Sequence, residues 1–71
     1  MNTDKILTKI RSKRQELNYS QEYIASMLQM KQANYNKIEN GKVALTVPVL
    51  FKMASLLDLN VDELLKDFKA A

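Results

Sequence analysis

Two short helical segments lie close together in this chain, at residues 21–28 and 32–39, with only Gln29, Met30 and Lys31 between them. Each segment repeats its apolar residues at helical spacing, so each has one face that must be buried. A link of three residues makes the second helix bend sharply against the first. The pair therefore predicts two helices that cross at a bend, and this crossing limits how the rest of the chain can pack.

The residues around the bend suit a helix-turn-helix. Ala25 is small and falls where the helices would cross, so the two backbones can approach closely. Apolar residues that could fix the crossing stand at five positions: Ile24, Leu28, Met30, Tyr35 and Ile38. Asn40 and Gly41 then end the second segment. The motif is predicted from these positions together, because any one of them alone is common.

The rest of the chain favours further helices, because one Gly and one Pro are too few for many turns. A first helix is predicted from about residue 4 to 17, with Asn18 as a left-handed end. Thr46 would cap a fourth helix that ends near Leu57, and Asn60 would cap a fifth that reaches Phe68. Residues 69–71 are expected to fray. A chain of 71 residues has room for one small core, so residues 1–71 are predicted to form a single all-α domain of five helices.

The same spacing predicts which side chains of these three helices face inward. They are Leu7, Ile10, Arg14 and Leu17 in the first helix, Leu50, Met53, Ala54 and Leu57 in the fourth, and Val61, Leu64, Leu65 and Phe68 in the fifth. Arg14 is the only charged member of these faces.

Several function classes are excluded by residues that the chain lacks. It has no Cys and no His, which removes disulfides, thiolate sites, the commonest general base and the commonest zinc ligand. The four acidic residues after Val43 lack the glycine-spaced pattern of a calcium loop, so they are interpreted as helix caps and solvated charges. These residues are Asp58, Asp62, Glu63 and Asp67. The chain is predicted not to be an enzyme and to hold no metal, cofactor or small-molecule ligand.

The charge of the chain is unevenly distributed. Up to Lys42, eight Lys and Arg face four Asp and Glu, a net charge of +4, whereas from Val43 onward three face four, a net charge of −1. A basic front half indicates a side that faces a polyanion. The alternative is the ordinary scatter of charge on a soluble surface, and on this view Lys9, Arg11 and Lys13 are plain surface cations.

Membrane insertion and secretion are not expected. No apolar run approaches the roughly 20 residues that a membrane span needs. The N-terminus carries charges every few residues and has no apolar core of a secretion signal. A cytoplasmic protein is therefore expected.

Three segments, IRSKRQELNYSQEYIASML, NYNKIENGK and LFKMASLLDLNVDELL, resemble the phage Cro and lambda-repressor-like helix-turn-helix domains, often called the Xre type. The resemblance extends from about Ile6 to Phe68. It implies a compact five-helix fold and a transcriptional regulator, of the repressor type, whose third helix reads double-stranded DNA. It also implies a nucleoid-associated protein of a prokaryote or phage. A homodimer would place two such helices about 34 Å apart on a near-palindromic site.

The resemblance implies site residues position by position. Base contacts would come from Gln32, Ala33, Asn36 and Lys37, and Lys31 beside them is a further base-contacting candidate, because its stem could pack on a thymine methyl. Phosphate contacts would come from Gln21, Asn40 and Lys42, and Gln21 would also brace the recognition helix. Arg14 and Glu39 match a pair that many members form as a partly buried salt bridge. The chemistry is suitable, because Gln and Asn can bond adenine N6 and N7 together, and Ala can contact a thymine methyl. The alternative is that these polar residues form an ordinary solvent-exposed helix face with no binding role.

Three positions depart from the family pattern. Gln29 replaces a Gly in the bend, and because a left-handed Gln costs about 1 kcal/mol, the turn is expected to be shaped differently. Lys31 replaces a Ser or Thr, which removes an N-cap and puts a cation at the positive end of a helix, where a phosphate would relieve it. Tyr35 replaces an aliphatic residue, so its hydroxyl must find a partner or reach solvent.

Two further questions stay open at the level of sequence. The same fold can serve as a protein-interaction adaptor, such as an antitoxin that binds a toxin partner. An apolar patch around the start of the fourth helix is either core or a dimer seam, and its members are Leu45, Val47, Val49 and Phe51.

Overall fold

The computed structural model describes residues 3–69, and the side chains of residues 3–66. Its helices are α1 Thr3–Glu16, α2 Gln21–Met27, α3 Gln32–Glu39, α4 Val47–Leu57 and α5 Val61–Lys69. No strand occurs between residues 3 and 69, and the predicted all-α fold of five helices is confirmed. Helix α5 includes Lys69, whereas Ala70 and Ala71 of the expected frayed tail, and the side chains of Asp67 and Phe68, lie outside what is described.

Side-chain oxygens cap the start of three helices at the predicted residues. The Ser20 hydroxyl accepts a hydrogen bond from the Tyr23 N–H at 2.9 Å. The Thr46 hydroxyl accepts from the Val49 N–H at 3.4 Å, and the Asn60 side-chain oxygen accepts from the N–H of Glu63 at 3.3 Å. Each cap satisfies a backbone donor that the helix itself leaves without a partner.

Helices α1 to α4 all end in the same way, with a residue of positive φ just past the helix. These residues are Asn18, Gln29, Gly41 and Asp58. The N–H of this residue and the N–H of the next one bond back to carbonyls of the last turn, as in Gln29 to Ser26 at 3.0 Å and Met30 to Ala25 at 2.9 Å. Gly, Asn and Asp adopt this conformation at little cost, whereas Gln adopts it at a cost of about 1 kcal/mol. The expectation of a different turn at Gln29 is therefore wrong, because the bend keeps its left-handed residue at φ 58° and is strained.

The helices share one apolar core. Its members are Ile6, Ile10, Ile24, Ala25, Leu28, Tyr35, Ile38, Leu50, Met53, Ala54, Leu57 and Leu64. The predicted inward face of α4 is confirmed in full. In α1 the prediction missed Ile6, which is fully buried, and in α5 Val61 and Leu65 are only partly buried.

The patch around the start of α4 divides into two parts. Leu45 and Val49 pack against the core, so burial explains them. Val47 and Phe51 stay about half exposed, at 54% and 49%. They lie four residues apart and therefore on one side of the helix.

Packing against the other helices fixes the position of α3. Helix α1 contacts α3, α4 and α5, and α2 packs against α3. Tyr35 and Ile38 turn one face of α3 into the core, which leaves Gln32, Ala33 and Lys37 exposed on the other face.

None of the helices described is long and apolar enough to cross a membrane. Within the described residues, no three His, Cys, Asp or Glu side chains stand close enough together to hold a metal ion.

Candidate nucleic-acid interface

The first turn of α3 has no side-chain cap. Lys31 stands at the N-cap position with extended backbone, φ −72° and ψ 147°, but its side chain bonds none of the free N–H groups. Gln32 and Ala33 follow it and are exposed. The start of α3 therefore combines free backbone donors, the positive end of the helix dipole and an exposed lysine.

An open depression of about 450 Å3 lies between the start of α2 and the outer face of α3. It is lined by Gln21, Gln32, Ala33, Asn36, Lys37 and Lys42. All six are residues for which the resemblance implied contacts with DNA. Lys31 and Asn40 are exposed but do not line the depression.

Arg14 and Glu39 form a buried ion pair that joins α1 to the last residue of α3. The carboxylate accepts from Arg14 Nε at 3.0 Å and from Arg14 Nη2 at 2.9 Å, while Nη1 donates to the Tyr19 carbonyl at 2.9 Å. The exposed fraction is 9% for Arg14 and 1% for Glu39. Burial alone would raise the pKa of Glu39, but hydrogen bonds, that from Arg14 foremost, outweigh it and lower this pKa.

The Tyr35 hydroxyl neither reaches solvent nor makes a hydrogen bond of acceptable geometry to a described residue. The expectation that it would do one or the other is wrong. The carboxylate of Glu39 is close enough to raise the pKa of Tyr35 further, after burial, which is the largest cause. The oxygen is held near an acceptor without bonding it well, because the ring is fully buried and its position is set by core packing.

Arg11 belongs to the same cluster, and its interpretation as a plain surface cation is wrong. Its Nη2 donates to the Glu39 carbonyl at 3.1 Å and to the Asn40 side-chain oxygen at 3.4 Å. Its Nε lies 3.5 Å from Glu39 Oε1. One signal in the sequence could have indicated this, since Arg11 precedes Arg14 by three residues and so shares its side of α1.

Three amides continue the cluster toward the depression. Gln21 Nε2 donates to Glu39 Oε1 at 3.2 Å, and Asn36 Nδ2 donates to Gln21 Oε1 at 3.1 Å. Asn40 Nδ2 donates to Asn36 Oδ1 at 3.1 Å. Both the NH2 group and the oxygen of the Asn36 amide are therefore bonded to neighbouring side chains, and Asn36 is only partly exposed. The two bonds of Gln21 join α2 to α3, which is the bracing that the resemblance implied for this residue, whereas the Asn40–Asn36 bond was not predicted.

Comparison with known proteins supplies one match. A family model described as helix-turn-helix matches residues 10–64, which include α2, the bend, α3, α4 and every residue that lines the depression. No curated protein and no solved structure matches the chain. The chain belongs to the Xre and lambda-repressor-like helix-turn-helix family of DNA-binding transcription regulators.

Proposed function

We propose that this protein is a sequence-specific regulator of the repressor type that reads the major groove of double-stranded DNA with α3. One observation carries the proposal: six side chains suited to bases and phosphates line a single depression on the exposed side of the α2–α3 pair. A major groove about 12 Å wide admits one such helix.

The base-reading residues are those on the outer face of α3. The Gln32 amide can donate its NH2 group to adenine N7 and accept from the adenine N6 amino group, and Ala33 beside it can contact a thymine methyl. Lys37, one turn later, reaches a guanine or a phosphate. Asn36 lines the depression and retains one amide hydrogen and one lone pair beyond its bonds to Gln21 and Asn40, so it can still bond a base or a phosphate.

The phosphate-binding residues flank α3 at both ends. At the uncapped first turn of α3, Lys31 puts a positive charge beside the positive end of the helix dipole, which is unfavourable. A DNA phosphate bound there would remove this repulsion, because its oxygens accept hydrogen bonds from the free N–H groups and its charge offsets that of the lysine. Lys31 can also lay its stem along a thymine methyl, and so it serves both roles. Gln21, Asn40 and Lys42 complete the backbone contacts. All of these residues lie in the basic half of the chain.

Two copies would bind a near-palindromic site with recognition helices about 34 Å apart. Val47 and Phe51 are the seam that this arrangement would use, because they are large, apolar, half exposed and on one side of α4. Replacing both with Asp should leave the fold intact and prevent paired binding. If the doubly substituted protein still occupies two half-sites with unchanged cooperativity, the seam lies elsewhere.

Selection of bound duplexes from a random pool tests the proposed function directly. We expect enrichment of one site, with two half-sites about 10 base pairs apart. Affinity for this site should fall steeply with added salt, because phosphate contacts release counterions. A pool that shows no enrichment after several rounds would contradict specific readout. A single asymmetric half-site would contradict the dimer and leave the base readout standing.

A protein-interaction adaptor, such as an antitoxin, is the second candidate. Tyr23 and Met27 favour it, since both are about half exposed on α2 and offer an apolar surface to a partner. Co-purification of a partner chain that is lost on replacing both residues with Ser would support it. With no His and no Cys in the chain, we infer no catalytic role. Placement in the cytoplasm, at the nucleoid, would follow from the DNA partner.

A further inference from the structure

Five side chains form a directional run of hydrogen bonds across α1, α2 and α3, which we call the amide chain. Arg11 Nη2 donates to Asn40 Oδ1 at 3.4 Å, and Asn40 Nδ2 donates to Asn36 Oδ1 at 3.1 Å. Asn36 Nδ2 donates to Gln21 Oε1 at 3.1 Å, and Gln21 Nε2 donates to Glu39 Oε1 at 3.2 Å. The run closes on itself, because Arg11 Nε lies 3.5 Å from the same Glu39 oxygen.

The two ends of the amide chain fix its direction. An arginine can only donate, and an ionised carboxylate can only accept. Glu39 is kept ionised by its paired bonds with Arg14. Each amide between these ends has one oxygen and one NH2 group, so each must point its oxygen toward Arg11 and its NH2 group toward Glu39. Turning over Asn36 alone would set NH2 against NH2 and oxygen against oxygen, with the loss of two bonds.

The direction of the amide chain matters at the surface. Gln21 and Asn36 line the depression, and Asn40 is exposed beside it. Each NH2 group uses one hydrogen within the amide chain and keeps the second. Phosphate oxygens only accept, so an amide that is held with its NH2 group in a fixed place is ready to bind one without first reorienting.

We propose that Arg11 is a positioning residue for DNA recognition, which acts through Asn40 and through the C-terminal carbonyl of α3. Its Nη2 holds the Glu39 carbonyl at 3.1 Å as well as Asn40, so it fixes both the end of α3 and the direction of the amides. Its charge also suits the negative end of the helix dipole. This proposal rests on the proposed DNA-binding function.

The first test uses the free protein and so does not depend on DNA. Arg11→Met keeps an apolar stem but removes the donor, and Lys5→Met removes one charge from an exposed position of the same helix. In NMR spectra, the side-chain NH2 signals of Asn40 and Asn36 should shift and exchange faster with water in Arg11→Met. Those of Gln21 should change less, because Glu39 still holds it. Unchanged Asn40 and Asn36 signals in Arg11→Met, or equal changes in Lys5→Met, would overturn the amide chain.

The second test compares binding to the selected duplex with binding to random DNA. Arg11→Met should weaken binding to the selected duplex by about tenfold. It should weaken binding to random DNA only as much as Lys5→Met does, and it should leave the salt dependence of binding unchanged. Arg11→Lys, which keeps a donor-only cation, should recover part of the loss. Equal loss on both duplexes with a salt slope reduced by about 1 would overturn the positioning role, because that pattern belongs to a phosphate contact.

Failure of the underlying function would look different. If the unsubstituted protein prefers no duplex, both the proposed specific DNA binding and the role of Arg11 in recognition are wrong. The NH2 signals of the free protein would still decide whether Arg11 orients the amides.

Discussion

Arg14 on α1 and Glu39 at the end of α3 meet in two parallel hydrogen bonds of 3.0 and 2.9 Å, almost out of reach of water. Parallel bonds of this kind are among the stronger ones in proteins, because both partners are charged and the fork geometry matches. The pair ties the candidate recognition helix to a helix that packs on three others. Its removal should therefore loosen α3 as well as lower stability.

Arg14→Met should lower the free energy of unfolding by about 3 kcal/mol, because it leaves a buried carboxylate without its main partner. Urea unfolding followed by circular dichroism measures this. The double substitution Arg14→Met with Glu39→Met should cost less than the single one, since no charge remains buried. A double variant that is less stable than the single variant would show that the pair is not the source of the loss.

The same pair should make stability depend on pH at the acid side. Because the pKa of Glu39 is lowered in the folded state, the stabilisation is present above the unfolded value of about 4.5 and is lost as pH falls through the lower folded value. Unfolding curves between pH 7 and pH 2 should show this loss in the native chain. The Arg14→Met, Glu39→Met double variant, which lacks the group, should lose less stability over that range, and an equal loss would argue against the lowered pKa.

Tyr35→Phe should raise stability by about 1 kcal/mol, because the substitution removes a buried hydroxyl that has no well-formed hydrogen bond. The ring and its packing stay unchanged, so chemical unfolding reports the hydroxyl alone. Ile38→Val serves as a reference for an ordinary small loss of packing on the same face of α3. A lower stability for Tyr35→Phe would mean that the hydroxyl bonds Glu39 in solution.

Gln29→Gly should stabilise the bend by roughly 0.5–1 kcal/mol, because Gly adopts the left-handed conformation without the steric cost that Gln carries there. Gln29→Ala provides the matched control, since Ala keeps the Cβ atom that causes the strain. Thermal unfolding of the three proteins measures the effect. Equal stability of the Gly and Ala variants would show that the backbone at this position is not strained.

Gln32→Ala should weaken binding to the selected duplex by about tenfold or more, as expected for the loss of a bidentate base contact. It should weaken binding to random DNA far less. Lys42→Met should instead weaken both duplexes alike and lower the salt slope by about 1. Mobility shifts at several salt concentrations separate these two patterns. The base-reading assignment of Gln32 would be wrong if its replacement weakened selected and random DNA equally.

Much of the framework could be read from the sequence, because it depends on neighbouring residues. Helix α3 begins and ends at the predicted residues, and α1 and α4 end within one residue of theirs. Ser20, Thr46 and Asn60 cap helices as their side chains suggest, since a cap needs only a hydroxyl or amide three residues from an N–H. The short link between the predicted segments 21–28 and 32–39 indicated the bend in the same way, because it too depends only on neighbouring residues.

The predictions that failed concern residues whose state is imposed from a distance. Gln29 is left-handed against its own preference, because the crossing of α2 and α3 outweighs a local cost of about 1 kcal/mol. Tyr35 keeps its hydroxyl buried because ring packing decides its position. Ile6 is a different case: it was left out of the predicted inward face of α1, although it lies four residues before Ile10 and so on the same side, and it is fully buried.

By itself, then, the sequence determined which residues form helices and, to within about a residue, where these begin and end, and its resemblance to a known family named the polar side chains that were candidates for a DNA surface. Only the tertiary structure decided how those side chains are held. The resemblance paired Arg14 with Glu39, but nothing in the sequence paired Arg11 with Asn40, 29 positions apart, or Gln21 with Glu39, 18 positions apart. No local pattern records such distances, because they arise when α1 and α2 pack against α3 and bring donor and acceptor into reach.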